Sequence, residues 1–209
     1  MGREPLSPAI SPAVNPFLRL GAYTANADPR AAACNAIALV VASNQPIYPF
    51  YVAWFVGGDA WAACWTFLST PFFAAVPWVA RRSPLAGRAM LVLTGLVNTM
   101  ISTKAFGTTS GVELFLVPCA LIAALAFRRG EALWAVVLLG WCGATTLLHP
   151  FYGAPFGHFS PAELRHFARL NGYSVVTLSL FILWRLGNAT LDDARSGSSP
   201  NSPRWPQPR

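Results

Sequence analysis

The sequence predicts an all-α fold, a polytopic membrane helix bundle of about six transmembrane helices with a short interfacial helix before the last. Three observations carry that expectation. Of the 209 residues, 54% are hydrophobic. Only 11% are Asp, Glu, Lys or Arg, against about 25% in a soluble domain, which leaves too little polar surface to cover a water-soluble globule of this size. The charges gather in the tails and in short breaks between long apolar runs, as they do when each segment must cross roughly 30 Å of hydrocarbon with about 20 residues.

Residues 1–30 read as a disordered, Pro-rich cytoplasmic tail with an interfacial patch at Phe17 to Leu20. Four prolines in the first sixteen residues and no apolar run beside Arg3 exclude a secretory signal. Leu6 stands where a myristoylation motif needs Ser or Thr. The six-helix domain covers residues 31–188. Its first span, Ala31 to Val56, is interrupted by Asn44, Gln45 and Pro46, with Pro49 beyond. Proline removes a backbone donor and clashes with the preceding turn, so a kink or break is expected there. Gly57, Gly58 and Asp59 make a tight turn into the second span, Ala60 to Ala80, where Trp61, Trp65 and Trp78 sit near the ends as interfacial indoles do.

Arg81, Arg82 and Arg88 bracket the next loop. The third span is Ala89 to Thr103, the fourth Val112 to Phe127 and the fifth Ala132 to Leu148, after a turn at Arg128, Arg129 and Glu131. Spans three to six are shorter than about 20 residues, so their ends lie in the interface. In the connection to the sixth span, Ser160, Pro161 and Glu163 form an N-cap, a first-turn proline and a capping-box acid. The small helix they start puts Leu164, Phe167 and Ala168 on one face and Arg165, His166 and Arg169 on the other, and so lies flat on the bilayer. The sixth span is Tyr173 to Leu186, and residues 189–209 read as a disordered cytoplasmic tail.

Basic residues set the orientation. The N-terminal tail, second loop, fourth loop and C-terminal flank hold ten arginines, and the first, third and fifth loops hold only Lys104, Arg165 and Arg169. Both termini are therefore expected in the cytoplasm and the chain in the inner membrane. The Arg-rich, Lys-poor, Ala-rich composition points to a GC-rich bacterial genome. The net charge of +7 lies beside apolar segments with no basic patch interleaved with aromatics, which excludes nucleic acid as a partner. Cys34, Cys64, Cys119 and Cys142 fall in or beside apolar runs without CxxC or zinc spacing, and read as buried structural thiols.

Candidate chemistry is sparse. Glu113 lies just inside the fourth span on the outer side, where unpaired amides and the helix dipole stabilise a carboxylate. His149 reaches the same level, as do Asp59, Lys104, His158 and His166. Proton sensing near pH 6.5 is one use of such a layer. No two of these residues stand three or four apart, so no metal site and no cofactor is expected. Thr94, Asn98 and Ser102 form a polar stripe at spacing four in the third span, flanked by Thr99 and Thr103. Such a stripe either hydrogen-bonds to neighbouring helices or lines a ligand cavity together with Asn44 and Gln45. The candidate ligand or proton-sensing residues are thus Asn44, Asn98, Glu113, His149 and His166. Catalysis is not expected. The stretch GTTSG from Gly107 to Gly111 lacks both the glycine and the in-span histidine of rhomboid proteases, and no phosphate loop is present.

From Asn98 to Glu131 the chain resembles the multi-span membrane input domains that precede bacterial adenylate cyclases, diguanylate cyclases and sensor histidine kinases. The residues that carry the resemblance are Asn98, Gly107, Gly111, Phe115, Pro118, Phe127, Arg128 and Glu131: an outer glycine turn, a span, and an aromatic-basic-acidic stop. The resemblance implies a non-enzymatic sensory or signalling-accessory domain. The Ser/Pro-rich stretch after the last span is not expected to carry an output domain, so output through a membrane or cytoplasmic signalling partner is expected. A small transporter or permease is the other expectation, drawn from the broken first span and the polar stripe.

Overall fold

Asp28 starts the first long helix. Its carboxylate accepts from the amides of Arg30 and Ala31 at 2.9 and 3.1 Å, and Pro29 follows at the first helical position, where a missing N–H costs nothing. The computed structural model describes residues 16–197, and every regular element among them is helical. In order these are α1 (Pro16–Thr24), α2 (Pro29–Asn44), α3 (Tyr48–Tyr51), α4 (Thr70–Arg82), α5 (Pro84–Phe106), α6 (Leu116–Ala126), α7 (Ala132–Leu148) and α8 (Pro161–Gly197). Residues 1–15 and 198–209, parts of the two expected tails, lie outside the described residues.

The expected break in the first span is present. Pro46 has no N–H for the carbonyl four residues back, so α2 stops at Asn44 and α3 continues into a π-turn at Val52–Val56, the two arms bent by 52°. A 3-10 helix over Ala60–Ser69 runs into α4. Among the described residues, four helical segments are long and apolar enough to cross a membrane: Ala60–Arg82, Pro84–Phe106, Arg129–Leu148 and Pro161–Arg195. The bent pair makes up to five. The segment expected as the fourth span, Val112–Ala126, is an apolar helix of shorter length.

Several stretches differ from the sequence expectation. The third span begins at Pro84, not Ala89, because Ser83 caps it by accepting from the Ala86 amide at 3.2 Å, and Arg88 is absorbed within the helix, only 1% exposed. Its charge had marked it as a loop residue. The separate flat helix before the last span does not exist as such. From Pro161 to Gly197 the chain is one helix of 37 residues. The capping box that starts it is as expected, with Ser160 N to Glu163 Oε2 at 2.7 Å and Glu163 N to Ser160 Oγ at 3.3 Å. Gly172 does not interrupt it, since a lone glycine costs a helix only about 1 kcal/mol. Helix α8 also continues through residues 189–197, and α1 occupies part of the stretch expected as N-terminal tail.

The core has two parts. One packs α2, α4, α5, α6 and α8 around Ile37, Val76, Leu96, Ile122 and Ile182. The other gathers Tyr48, Val52, Phe106, Val112 and Phe167 at the opposite end from Arg88. Helix α7 rests against α6 and α5 with most of its apolar surface outward, including Leu133, Val136 and Leu147.

Candidate functional site

The break in the first span turns a glutamine inward. Gln45 is 5% exposed, and in hydrocarbon its amide must find partners. It donates through Nε2 to Ser69 Oγ at 2.6 Å and to Asn98 Oδ1 at 3.3 Å, and accepts from Thr70 Oγ1 at 2.6 Å. The Ser69 hydroxyl lies 2.7 Å from Asn98 Oδ1 and 2.8 Å from the Thr66 carbonyl, and can donate to one at a time. Three segments are thus pinned at one level: the end of α2, the junction into α4, and the middle of α5.

This cluster forms part of the wall of a cavity of about 530 Å³, well within the range of small-molecule sites. Apolar side chains from α2, α5 and α6 make most of the wall, among them Ile37, Leu91 and Cys119, and α8 closes it with Tyr173, Ser174 and Thr177. Among the described residues no Asp, Glu, Lys, Arg or His lines it. The Thr99 hydroxyl is taken by the Gly95 carbonyl at 2.9 Å, one turn back in its own helix. Asn98 Nδ2 and Ser102 Oγ, one turn apart on α5, meet no partner among the described residues.

Next to the cavity, Asn171 of α8 is fully buried. Its Oδ1 accepts from the Tyr48 hydroxyl at 2.8 Å and its Nδ2 donates to the Ser110 carbonyl at 3.0 Å. Helix α8 is so joined both to the broken first span and to the glycine turn. At that turn Gly107 and Gly111 take positive φ, and Gly111 brings its Cα against the backbone of Ala168.

A second polar assembly occupies the far end of the bundle. Helix α6 ends at Ala126 with unpaired carbonyls. Arg88 reaches the Ala126 carbonyl at 2.6 Å and pairs in a fork with Glu131 at 2.8 Å to each oxygen. Arg30 reaches the Phe127 carbonyl at 2.7 Å and pairs with Asp193 of α8 at 2.9 Å. Arg128 links the two halves, 2.8 Å from Asp28 and 3.2 Å from Asp193. Three arginines therefore balance three carboxylates. Burial opposes the charge on Asp28, but the Ala31 amide and the Arg88 and Arg128 guanidiniums outweigh it and hold its carboxyl below the ordinary carboxylate value.

Of the residues singled out from sequence, Asn44 and Asn98 both line the cavity, Asn44 at its exposed rim. Glu113 and His166 do not line it. Glu113 is half-buried on the stretch between Gly111 and α6. It lies close enough to Tyr152 that, after burial, its charge is the second cause raising that phenol. His166 is exposed on α8, a turn from Glu163. His149 begins a short 3-10 turn, and its side chain lies outside what is described. No three metal-binding side chains come together among the described residues. All four cysteines are free thiols, three of them buried.

Sequence reasoning missed Ser69, Thr70, Asn171, Arg88 and Asp28. Two carried a readable signal. Asn171 stands four residues after Phe167, on the buried face of its helix, and Asp28 before Pro29 is an N-cap signature.

No curated protein and no solved structure matches the chain. The family model MASE7 matches residues 21–184, a stretch that spans every helix lining the cavity and most of α8. The chain therefore belongs to the MASE7 family of membrane-associated sensor domains.

Proposed function

We propose that this membrane sensory domain acts without catalysis of its own, lies in a bacterial inner membrane with both termini in the cytoplasm, and reports occupancy of its cavity to a signalling partner through α8. The observation that carries the reading is the position of α8. One helix contributes Tyr173, Ser174 and Thr177 to the cavity wall and, five turns on, holds Asp193 in the arginine network. A change in the wall is thereby coupled mechanically to the end of the bundle from which the C-terminal segment leaves.

The topology is supported by that same network. Asp28 before the first long helix and Asp193 near the end of the last share Arg128, which supports an even number of crossings, with the described ends on one side. Six crossings satisfy this if the bent pair counts as one and Val112–Ala126 as another. The arginine-rich side belongs in the cytoplasm.

The test is genetic. Deleting the gene should abolish a membrane-signal response, read as transcription or cyclic-nucleotide level. The wild-type chain should restore it, and Gln45→Ala or Asn98→Ala expressed at equal level should not. An unchanged response after deletion ends the proposal. A transporter is the second reading, favoured by the broken first span beside a polar cluster. Solute flux in proteoliposomes that disappears with Asn98→Ala would put it first.

A further inference from the structure

We infer that the cavity between α2, α5, α6 and α8 binds an uncharged, single-tailed amphiphile whose hydroxyl or carbonyl head is held by Asn98 and Ser102, and which enters sideways from the lipid between α2 and α8. This rests on the sensory reading of the same cavity and names the chemistry of what is sensed.

Ser102 is the most telling residue. It is 2% exposed and lines the cavity, yet its hydroxyl has no partner among the described residues. A helical serine can usually satisfy itself on the carbonyl four residues back, as Thr99 and Thr103 do on the same helix at 2.9 and 2.8 Å. Ser102 does not. Asn98, one turn away, spends its Oδ1 on Ser69 and Gln45 and leaves its Nδ2 without a partner. An unpaired amide donor and an unpaired hydroxyl therefore stand side by side in an apolar enclosure, where leaving them unmet is costly. A ligand oxygen accepting from both would relieve both.

Charge and size narrow the class. With no Asp, Glu, Lys, Arg or His among the described lining residues, a carboxylate, phosphate or ammonium head would enter without a counter-charge and keep its full desolvation penalty. The volume of about 530 Å³, at roughly 30 Å³ for a group the size of a water molecule, holds on the order of fifteen heavy atoms. That suits a medium-chain alcohol, ketone or ester, its tail against Ile37, Leu91 and Cys119.

The route is set by which lining residues are exposed. Val40 and Asn44 on α2, and Tyr173 and Thr177 on α8, are all exposed and all line the cavity. They form facing rims on two helices that run through the bilayer. Asn98 lies fourteen residues from the start of α5 and eight from its end, roughly 21 and 12 Å along the axis, which places the head group within the hydrocarbon.

The full-length protein in nanodiscs, exposed to a diazirine-bearing decanol, tests this, with labelled peptides mapped by mass spectrometry. Labelling should concentrate on α2, α5 and α8 and fall at least five-fold with excess unlabelled decanol, but not with decanoate at pH 8. Ser102→Leu, which fills the cavity, should remove the competed labelling while the variant keeps the circular dichroism and elution volume of the wild type. Ser102→Ala should weaken competition about three-fold or more. Labelling spread evenly over the outer faces, labelling that no decanol competes, or equal competition by decanoate would each overturn the ligand class. If the class fails while Asn98→Ala still abolishes the cellular response, the sensory reading survives and only its ligand is wrong. If both fail, the sensory reading falls as well.

Discussion

Single side chains do most of the specifying here because hydrocarbon offers no solvent to forgive an unmet polar group. Asn171 shows the cost. Replacing it by Leu strands the Tyr48 hydroxyl and the Ser110 carbonyl together, and each orphaned group costs about 1–3 kcal/mol. The apparent melting temperature of the detergent-solubilised chain should fall by well over 5 °C, whereas the exposed Thr177→Leu should barely move it. Arg88→Met should cost far more than removal of the exposed Arg129, since it leaves the Ala126 carbonyl unpaired and Glu131 with only the Arg128 amide in place of its guanidinium fork, a loss of about 3 kcal/mol. Asp28 adds a pH dependence whose sign follows from its lowered pKa. Its contribution is complete above the ordinary value of 3.8 and is lost as pH falls through the depressed one. Thermal melts taken from pH 6 down to 3 should show this loss in the wild type, and Asp28→Asn, already lacking the charge, should fall less steeply.

At the scale of helices, small residues decide how closely neighbours approach. A Cβ on Gly87 would stand 2.5 Å from the Ala80 Cβ and 2.7 Å from its Cα, so α4 and α5 are in backbone contact there, as small-residue interfaces allow. Gly87→Ala should force the pair apart and cost about 1–3 kcal/mol. In α7 a Cβ on Gly140 or Gly143 meets nothing within 4 Å, and alanine there should leave stability unchanged or raise it by about 0.5–1 kcal/mol. A melting series of the three variants separates packing from propensity. The same scale explains what the sequence could reveal. Hydropathy located α7 to the residue and the proline break in the first span, because both are local properties. It misplaced the start of α5 and divided α8, because Arg88 and Asn171 look like loop residues until Glu131 and Tyr48 are known to meet them. The polar stripe of α5 was visible as a period of four. Its division into Asn98, whose Oδ1 is taken, and Ser102, which is left over, was not, since the first depends on Gln45 and Ser69 arriving from distant helices.

For the molecule as a whole, the outward surface and the two polar assemblies make one consistent frame. Trp54, Trp61, Leu133, Leu147 and Tyr173 are each at least 75% exposed, far more apolar surface than a water-soluble monomer presents, and a bilayer satisfies it. Sedimentation with membranes, and release only by detergent, is the outcome expected of that surface. The crossing number is a sharper matter. Helix lengths alone leave four or five candidate spans, and five would place the termini on opposite faces. Against that stands the triangle of Arg128 with Asp28 and Asp193 at 2.8 and 3.2 Å, which cannot close if the two ends of the bundle lie about 30 Å of hydrocarbon apart. On the proposed topology Val112–Ala126 traverses despite its shortness, with the bilayer thinned or its ends reaching into the interface. Topology reporters fused separately before Met1 and after Arg209 therefore must agree with each other. Both should read as cytoplasmic, with alkaline phosphatase inactive and a fluorescent protein bright. Two periplasmic readings would invert the orientation and leave the even count intact, while one of each would break the ionic frame that ties α8 to the start of the first span.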